Sequence, residues 1–146
     1  MMEAKKIIIV RVRGRVRLLT KIKDTLDMLR LYNTNYCVVL DNTPTTMGMI
    51  KFAKDYITWG EADETIISEL FEKRGMLYTG PLTDSKKKIK YDSKYVEFKS
   101  KKYARFFRLN PPRGGYGRKG IKKAFTEKGA LGNRAEKIND LVRKMM

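Results

Sequence analysis

The sequence contains no histidine and only one cysteine, Cys37, among its 146 residues. Without histidine, the chain has no imidazole to act as a general base or as a metal ligand. A single cysteine excludes an intrachain disulfide and a zinc site made of several cysteines, and it fits a reducing compartment. Because Cys37 lies within an apolar run, we predict that it is a small buried hydrophobic residue rather than a reactive thiol.

Neither the glycine-rich stretches nor the carboxylates form a recognisable catalytic or nucleotide-binding site that would replace the absent histidine and cysteine chemistry. No segment has the spacing of a phosphate-binding loop between a strand and a helix, and the acidic residues are scattered or cap helices. Asp41 follows a predicted strand, where α/β enzymes place catalytic groups, but capping of the next helix explains it better. We therefore predict no enzyme, no catalytic residue, no metal and no cofactor.

Long apolar runs and negative charge are also scarce. No run approaches the roughly 20 residues that span a bilayer, and arginine interrupts the short apolar stretch near the start. Against 33 Lys and Arg stand only 16 Asp and Glu, a net charge of +17. Self-repulsion on this scale indicates a polyanionic partner, with nucleic acid as the first candidate and an anionic membrane as the second. The basic residues are not confined to one amphipathic helix, which weighs against the membrane.

The periodicity of the apolar residues predicts a strand–helix–strand–helix–strand unit near the start of the chain. Strands are predicted at residues 7–12, 36–40 and 56–62. One helix carries Leu19, Ile22, Leu26 and Leu29, and the next begins with Thr43 as its cap and Pro44 in its first turn. We predict an α+β fold with a core at residues 1–62, an additional packed helix within residues 63–80, and a basic extension at residues 81–146.

The segment after residue 62 is predicted to add a helix, an arm and a final helix. Residues 63–74 form an acidic helix that Gly75 ends, and we expect this helix to face away from the polyanion. Weak alternation at residues 94–109 permits a strand or an extended arm, whose aromatic residues either stack on bases or pack on the core. Asn133 and Glu136 resemble a capping box. The final amphipathic helix, expected to dock on the core, carries Ala135, Ile138, Leu141, Val142 and Met145.

Two clusters of basic residues are candidates for phosphate contact. The first surrounds Gly14, at the end of the first strand, and consists of Arg11, Arg13, Arg15 and Arg17. The second lies in and after an irregular stretch with two prolines and four glycines, where glycine lets the backbone approach a phosphate and arginine clamps it. Its members are Arg113, Gly114, Gly115, Arg118, Lys119, Lys122 and Lys123. The alternatives are a solvated strand end and a plain linker.

Three motifs in order carry a resemblance to a known family. They are TLDMLRLYNTNYCVVLDNTPTTMGMIKFAKDYITWGEA, RLNPPRGGYGRKG and GALGNRAEKINDLVRKM. Together they resemble the large-subunit ribosomal protein thirty family in its long archaeal and eukaryotic form, whose eukaryotic member is called large-subunit ribosomal protein seven. The resemblance covers nearly the whole chain and is weakest at residues 82–102.

The resemblance implies a ferredoxin-like β-α-β-α-β core with a small antiparallel sheet and two helices on one face. It also implies a structural role as a monomer within the large subunit of the cytoplasmic ribosome, bound to large-subunit ribosomal RNA. The 5S RNA and other ribosomal proteins would lie nearby. The RNA-binding residues that it suggests are Arg11, Arg13, Arg15, Arg17, Asn42, Thr43, Lys51, Arg113, Gly114 and Gly115.

Two other functions remain open at this point. A general nucleic-acid-binding protein, such as a chromatin or architectural factor, explains the charge equally well but not the three motifs. An RNA-modifying enzyme would need a pocket with cofactor-binding residues, and the sequence shows none. Preference for folded ribosomal RNA over duplex DNA at matched salt separates the first function from the second.

Overall fold

The computed structural model describes residues 6–14, 16, 18–78, 85–88, 95–116, 120, 123–127 and 129–146. The predicted strand–helix–strand–helix–strand order is confirmed, as β1 Lys6–Arg11, α1 Thr20–Met28, β2 Tyr36–Asp41, α2 Pro44–Phe52 and β3 Ile57–Glu61. The chain continues with α3 Glu64–Arg74, β4 Tyr95–Phe98, β5 Lys101–Ala104, β6 Phe107–Arg108, β7 Gly132–Asn133 and α4 Ile138–Met145. Two 3₁₀ turns, Phe125–Glu127 and Ala135–Lys137, precede β7 and α4.

The main sheet has the strand order β6-β2-β1-β3-β7, with β1 in the centre. β1 is antiparallel to β2 and to β3, so β2 and β3 run in the same direction on either side of it. This split β-α-β arrangement is that of a ferredoxin-like fold. The expected antiparallel sheet comprises β6, β2, β1 and β3, and the short strand β7 adds a parallel pair beside β3. β4 and β5 form a separate antiparallel hairpin.

Helices cover both faces of this sheet. Alternate residues of a strand point to opposite faces, and along β1 the residues Ile7 and Ile9 belong to one core cluster while Ile8 and Val10 belong to another. The first cluster takes apolar side chains from α1 and α2, as the resemblance implied. The second takes them from α3 and α4, so the expected docking of the final helix is confirmed. Burial on both faces explains the uninterrupted apolar run of β1.

Local sequence chemistry sets the ends of α2 and α3. The Thr43 hydroxyl accepts a hydrogen bond of 3.2 Å from the backbone N–H of Thr46, and Pro44 occupies the first turn, as predicted. Gly75 ends α3, but with φ −62° rather than in the left-handed conformation. A Cβ there would lie 2.4 Å from the Phe71 carbonyl oxygen and 2.8 Å from the Tyr103 ring. Glycine is therefore required by close packing of the hairpin.

Two details of the predicted helices are wrong. The Asn133 side chain accepts a hydrogen bond of 2.9 Å from the backbone N–H of Ala135, two residues on, and does not cap α4. A 3₁₀ turn contains Glu136, and α4 begins only at Ile138, so the capping box does not form. Leu19 precedes α1 and is 70% exposed, because the apolar face of that helix begins one turn later.

Candidate nucleic-acid interface

The candidate site lies at the end of the main sheet where β1 finishes and β2 begins. Tyr36 at the start of β2 pairs with Arg108 of β6, and the backbone N–H of Arg13 donates to the Tyr56 carbonyl just before β3. The loop containing Arg113 joins this end, since the backbone N–H of Leu109 just before the loop donates to the Asn35 carbonyl just before β2. The backbone N–H of Arg113 donates to the Lys144 carbonyl at the end of α4. We call this surface the basic end and define it by Arg13, Arg108, Arg113 and Lys144.

The opposite end of the sheet, which we call the acidic end, has more carboxylates than cations. Glu61 finishes β3 there, and a hollow beside it is lined by Asp63, Glu136 and Asp140 together with the cations Lys137 and Arg143. The two ends are separated by the length of β1, roughly 17 Å from Lys6 to Arg11. Charge segregated along one axis orients a protein toward a polyanion and raises its association rate.

Arg11 does not reach the surface of the basic end. Its side chain is 1% exposed, with Nη1 donating to the Leu31 carbonyl at 2.7 Å and Nε donating to the Arg13 carbonyl at 2.9 Å. These bonds join the end of β1 to the segment that follows α1. The guanidinium binds protein carbonyls inside the fold, so Arg11 is a structural residue here and we remove it from the phosphate contacts.

Arg13 occupies a fixed position at the surface. Its guanidinium lies 5.0 Å from the centroid of the Tyr56 ring, and its Nη1 is 3.4 Å from the Asp55 carbonyl oxygen. The cation–π contact restrains the side chain without neutralising its charge. The neighbouring candidates Arg15 and Arg17 lie outside the described residues.

The proline- and glycine-rich loop is tied to the core. Backbone N–H groups of Asn110 and Arg113 donate to the last carbonyls of α4, at 3.0 Å to Met145 and 3.4 Å to Lys144. A helix leaves these carbonyls without intrahelical partners, and their negative dipole favours a cation nearby. The loop therefore holds the exposed side chain of Arg113 at a defined place.

A turn of two glycines follows Arg113. The N–H of Gly115 donates to the Pro112 carbonyl at 3.1 Å, and Gly114 and Gly115 have φ of +78° and +81°. Side chains rarely adopt this conformation, and no atom would lie within 4 Å of an added Cβ at either position. The glycines serve the backbone turn and leave its surface open to a ligand.

The remaining candidates are spread over the molecule. Asn42 and Thr43 are exposed but lie at the acidic end, beyond the finish of β2. Lys51 is exposed in the last turn of α2, which leads back toward Tyr56 and the basic end. Lys123 is exposed, and its carbonyl accepts bonds from the N–H groups of Ala130 and Leu131. Arg118, Lys119 and Lys122 lie outside the described residues.

The sequence analysis missed the central role of Arg134, which is 6% exposed. Its Nε donates to the Thr58 hydroxyl at 2.9 Å, and its Nη2 donates to the carbonyls of Tyr116 at 2.7 Å and Ala130 at 3.0 Å. The guanidinium also lies 4.8 Å from the Phe125 ring centroid. Arg134 thus joins β3, the glycine-rich loop and the segment before β7, and only its place in the third motif could have drawn attention to it.

Burial around Arg134 changes two pKa values. Desolvation lowers the pKa of the Arg134 guanidinium and raises the pKa of Tyr116 to about 12. The Tyr116 hydroxyl donates to the Asn35 side-chain oxygen, and Asn35 itself bonds to the end of β1 through its backbone. The hydrogen bond from the protonated Tyr116 hydroxyl to Asn35 therefore connects the glycine-rich loop to the basic end.

The described aromatic residues of the arm pack on the core. Phe106 stacks on Tyr36 with ring centroids 5.3 Å apart, and Phe71 contacts both Tyr103 and Phe107. For these residues packing on the core, rather than base stacking, is what the structure shows. The side chains of residues 95 and 98 are not among those described.

Within the described part of the chain, no group of three potential metal ligands comes together. No helix there has the length and apolar character needed to cross a membrane.

Comparison with known proteins identifies the family. The sequence model described as ribosomal protein L30p/L7e matches residues 7–57, from β1 to the start of β3. The chain is 44% identical to the large ribosomal subunit protein uL30 of Methanopyrus kandleri, with 92% of this chain and 99% of that protein covered. The chain belongs to the ribosomal protein L30p/L7e family. Its uL30 relatives also include those of Nanoarchaeum equitans, 47% identical with 92% and 94% covered, and Methanococcus maripaludis, 42% identical with 94% and 97% covered.

Membership confirms the resemblance found in the sequence and explains the missing catalytic chemistry. Members of the L30p/L7e family are structural ribosomal proteins, not enzymes. The relatives align over 92% of the chain, so the alignment extends well beyond residue 62 into the extension.

Proposed function

We propose that this protein is a structural constituent of the large ribosomal subunit that binds folded ribosomal RNA through its basic end. The observation that carries the proposal is the separation of net charge along the sheet. The half-buried Arg13 and the exposed Arg108 and Arg113 lie at one end, and a hollow with four carboxylates and two cations lies at the other. A polyanion meets favourable charge at only one of these ends. Membership in the L30p/L7e family indicates that the polyanion is ribosomal RNA, and the protein would act in the cytoplasmic ribosome.

The mechanism is mainly electrostatic. Each phosphate that an arginine or lysine neutralises releases condensed counterions, so affinity falls steeply as salt rises. Selectivity comes from the shape of folded RNA, because the deep major groove of an RNA helix is closed to side chains. The fixed positions of Arg13 and Arg113 favour one arrangement of phosphates over others and would hold an RNA junction in that arrangement.

We include three finer points in the proposal. The protein acts as a monomer within the subunit, the 5S RNA lies nearby, and Lys51 and Lys123 extend the contacts beyond the basic end. Asn42 and Thr43 touch RNA only if a second RNA segment reaches the acidic end. Footprinting of the 5S RNA in reconstituted subunits, with and without the protein, tests the second point. Protection of 5S nucleotides supports proximity, and no change in any of them contradicts it.

The main test is a salt titration of binding to large-subunit ribosomal RNA. Arg113→Ala is expected to weaken binding and to reduce the slope of log affinity against log salt by roughly 0.7 to 0.9, the value of one phosphate contact. Lys137→Ala is the matched control, because it removes one exposed positive charge beside the hollow at the acidic end. The two positions lie further apart than the Debye length of about 8 Å at physiological salt.

Equal changes of slope for the two variants would show that total charge, rather than the basic end, binds the RNA. Binding of duplex DNA as tightly as ribosomal RNA at matched salt would favour the general nucleic-acid-binding function instead.

A further inference from the structure

A half-open cavity of about 490 Å³ lies between the two sheets, beside β2. Most of its lining is hydrocarbon, including Val39 and Leu40 of β2, Ile67 and Phe71 of α3, and Val96 of β4. Its volume is within the range of about 300 to 1,000 Å³ that is usual for binding sites. The cavity runs toward the finish of β2, away from the basic end, and the proposed RNA contacts do not use it.

Two strand edges that lack a partner among the described strands border the cavity. β6 pairs only with Tyr36 and Cys37, so no described strand pairs with the outer edge of β2 at residues 38–41. β5 has partners on both sides, with β4 on one and residues 76–78 on the other, through bonds such as Tyr78 N–H to the Lys102 carbonyl. Among the described strands, β4 is therefore the outer strand of the hairpin. Open edges expose backbone donors and acceptors that another extended chain can satisfy.

The chemistry of the lining favours a peptide over RNA. The wall of the cavity is mainly apolar, and the Lys6 ammonium there already pairs with Asp41, so the lining offers little to a chain of phosphates. Strand edges bind extended peptides through backbone hydrogen bonds, while pockets beside the edge accept alternate side chains. Arg105 also lines the cavity; desolvation and the charge of Arg30 lower its pKa, and the charge of Asp41 opposes this shift. The charged residues of the lining, Lys6, Asp41 and Arg105, sum to one positive charge, which a single carboxylate of a mainly apolar peptide would complement.

We infer that this cavity binds an extended segment of another large-subunit ribosomal protein, which adds a strand to the outer edge of β2. Its alternate apolar side chains pack on Val39, Ile67 and Phe71, and one acidic side chain or its C-terminal carboxylate faces Arg105. Membership in the L30p/L7e family places the chain in a particle crowded with other proteins. The site is independent of the basic end, so either can fail its test without the other.

Site-specific photo-crosslinking in purified large subunits tests this inference. The variant Val39→p-benzoylphenylalanine places the reactive group in the cavity, because Val39 lies on the face of β2 that packs against Ile67 and Phe71. Leu77→p-benzoylphenylalanine is the control, since Leu77 is 62% exposed and does not line the cavity. We expect the Val39 variant to crosslink to a single stretch of one ribosomal protein, and the Leu77 variant not to crosslink there. A crosslink to RNA, to the chain's own residues or to nothing would overturn the inference.

Hydrogen exchange on the unmodified protein provides a second test if the Val39 variant does not fold. Amides at residues 38–41 are compared in the free protein, in its complex with ribosomal RNA alone, and in complete large subunits. We expect the amides of the outer edge to exchange quickly in the first two states and slowly in the third. Slow exchange already in the free protein, or upon RNA binding alone, would overturn the inference.

Discussion

Replacing Arg134 with alanine should destabilise the protein more than any surface substitution of an arginine. The change removes three hydrogen bonds of 2.7 to 3.0 Å and leaves the carbonyls of Tyr116 and Ala130 without their donor. A stranded buried acceptor costs about 1–3 kcal/mol, and water entering the vacated space offsets part of this. We therefore expect the free energy of unfolding to fall by about 3 kcal/mol, a large share of the roughly 5–15 kcal/mol of a typical domain.

Urea unfolding followed by circular dichroism measures this loss. The matched control is Arg143→Ala, because Arg143 is half-exposed and its Nε is 4.0 Å from Glu69. Such a surface pair contributes about 0–1 kcal/mol, so the control should stay close to wild type. Arg134→Lys keeps the positive charge but loses the planar guanidinium with its several donors, so it should lose most of the free energy of unfolding that Arg134→Ala loses. An Arg134→Ala variant within about 0.5 kcal/mol of the control would refute the role of the guanidinium.

Three further predictions concern glycine packing, the cysteine and the tyrosine. Gly60→Ala should destabilise the protein by roughly 2 kcal/mol or more, because the new Cβ would lie 2.2 Å from the Ala135 carbonyl oxygen. Gly48→Ala, in open space within α2, should stabilise the protein by roughly 0.5–1 kcal/mol. Equal urea midpoints for the two variants would contradict both expectations. Cys37 is fully buried, and burial raises the pKa of its thiol. A thiol reagent should therefore label Cys37 slowly in buffer and quickly in urea. Fast labelling of the native protein would show that the thiol is accessible. Because the pKa of Tyr116 is about 12 in the fold against roughly 10 unfolded, its stabilising contribution is complete below pH ~10 and is lost as the pH rises to about 12. The difference in unfolding free energy between wild type and Tyr116→Phe should narrow over that window, and a constant difference would contradict the shift.

The elements set by local chemistry could be predicted from the sequence. Thr43 and Pro44 specify the start of α2 through a hydrogen bond within one helical turn, and the continuous apolar run of β1 follows from burial on both faces. The final helix carries its apolar stripe within eight residues, so its docking was also predictable. In each case the signal and the structure that it specifies lie within a few positions of the chain.

The features that sequence patterns did not provide depend on contacts between distant segments. Arg11 and Arg13 look equivalent in the strand pattern, but the buried Arg11 side chain donates to the Leu31 carbonyl, 20 positions further along the chain. Arg134 meets Thr58 across 76 positions, and no periodicity records that separation. Charge pattern alone therefore overestimated the arginines at the surface and missed the one that organises the loop.

Long-range contacts also cross the boundary predicted at residue 62 between the core and the extension. In β1, Ile8 and Val10 are fully buried, and they belong to a cluster completed by α3, β6 and α4. The residues after 62 are therefore more than a basic appendage on a finished core, because they bury one whole face of the central strands. The loop bearing Arg113 bonds to the end of α4, and α4 packs on that face. The position of the candidate phosphate contact is thus fixed by the same packing that closes the hydrophobic core.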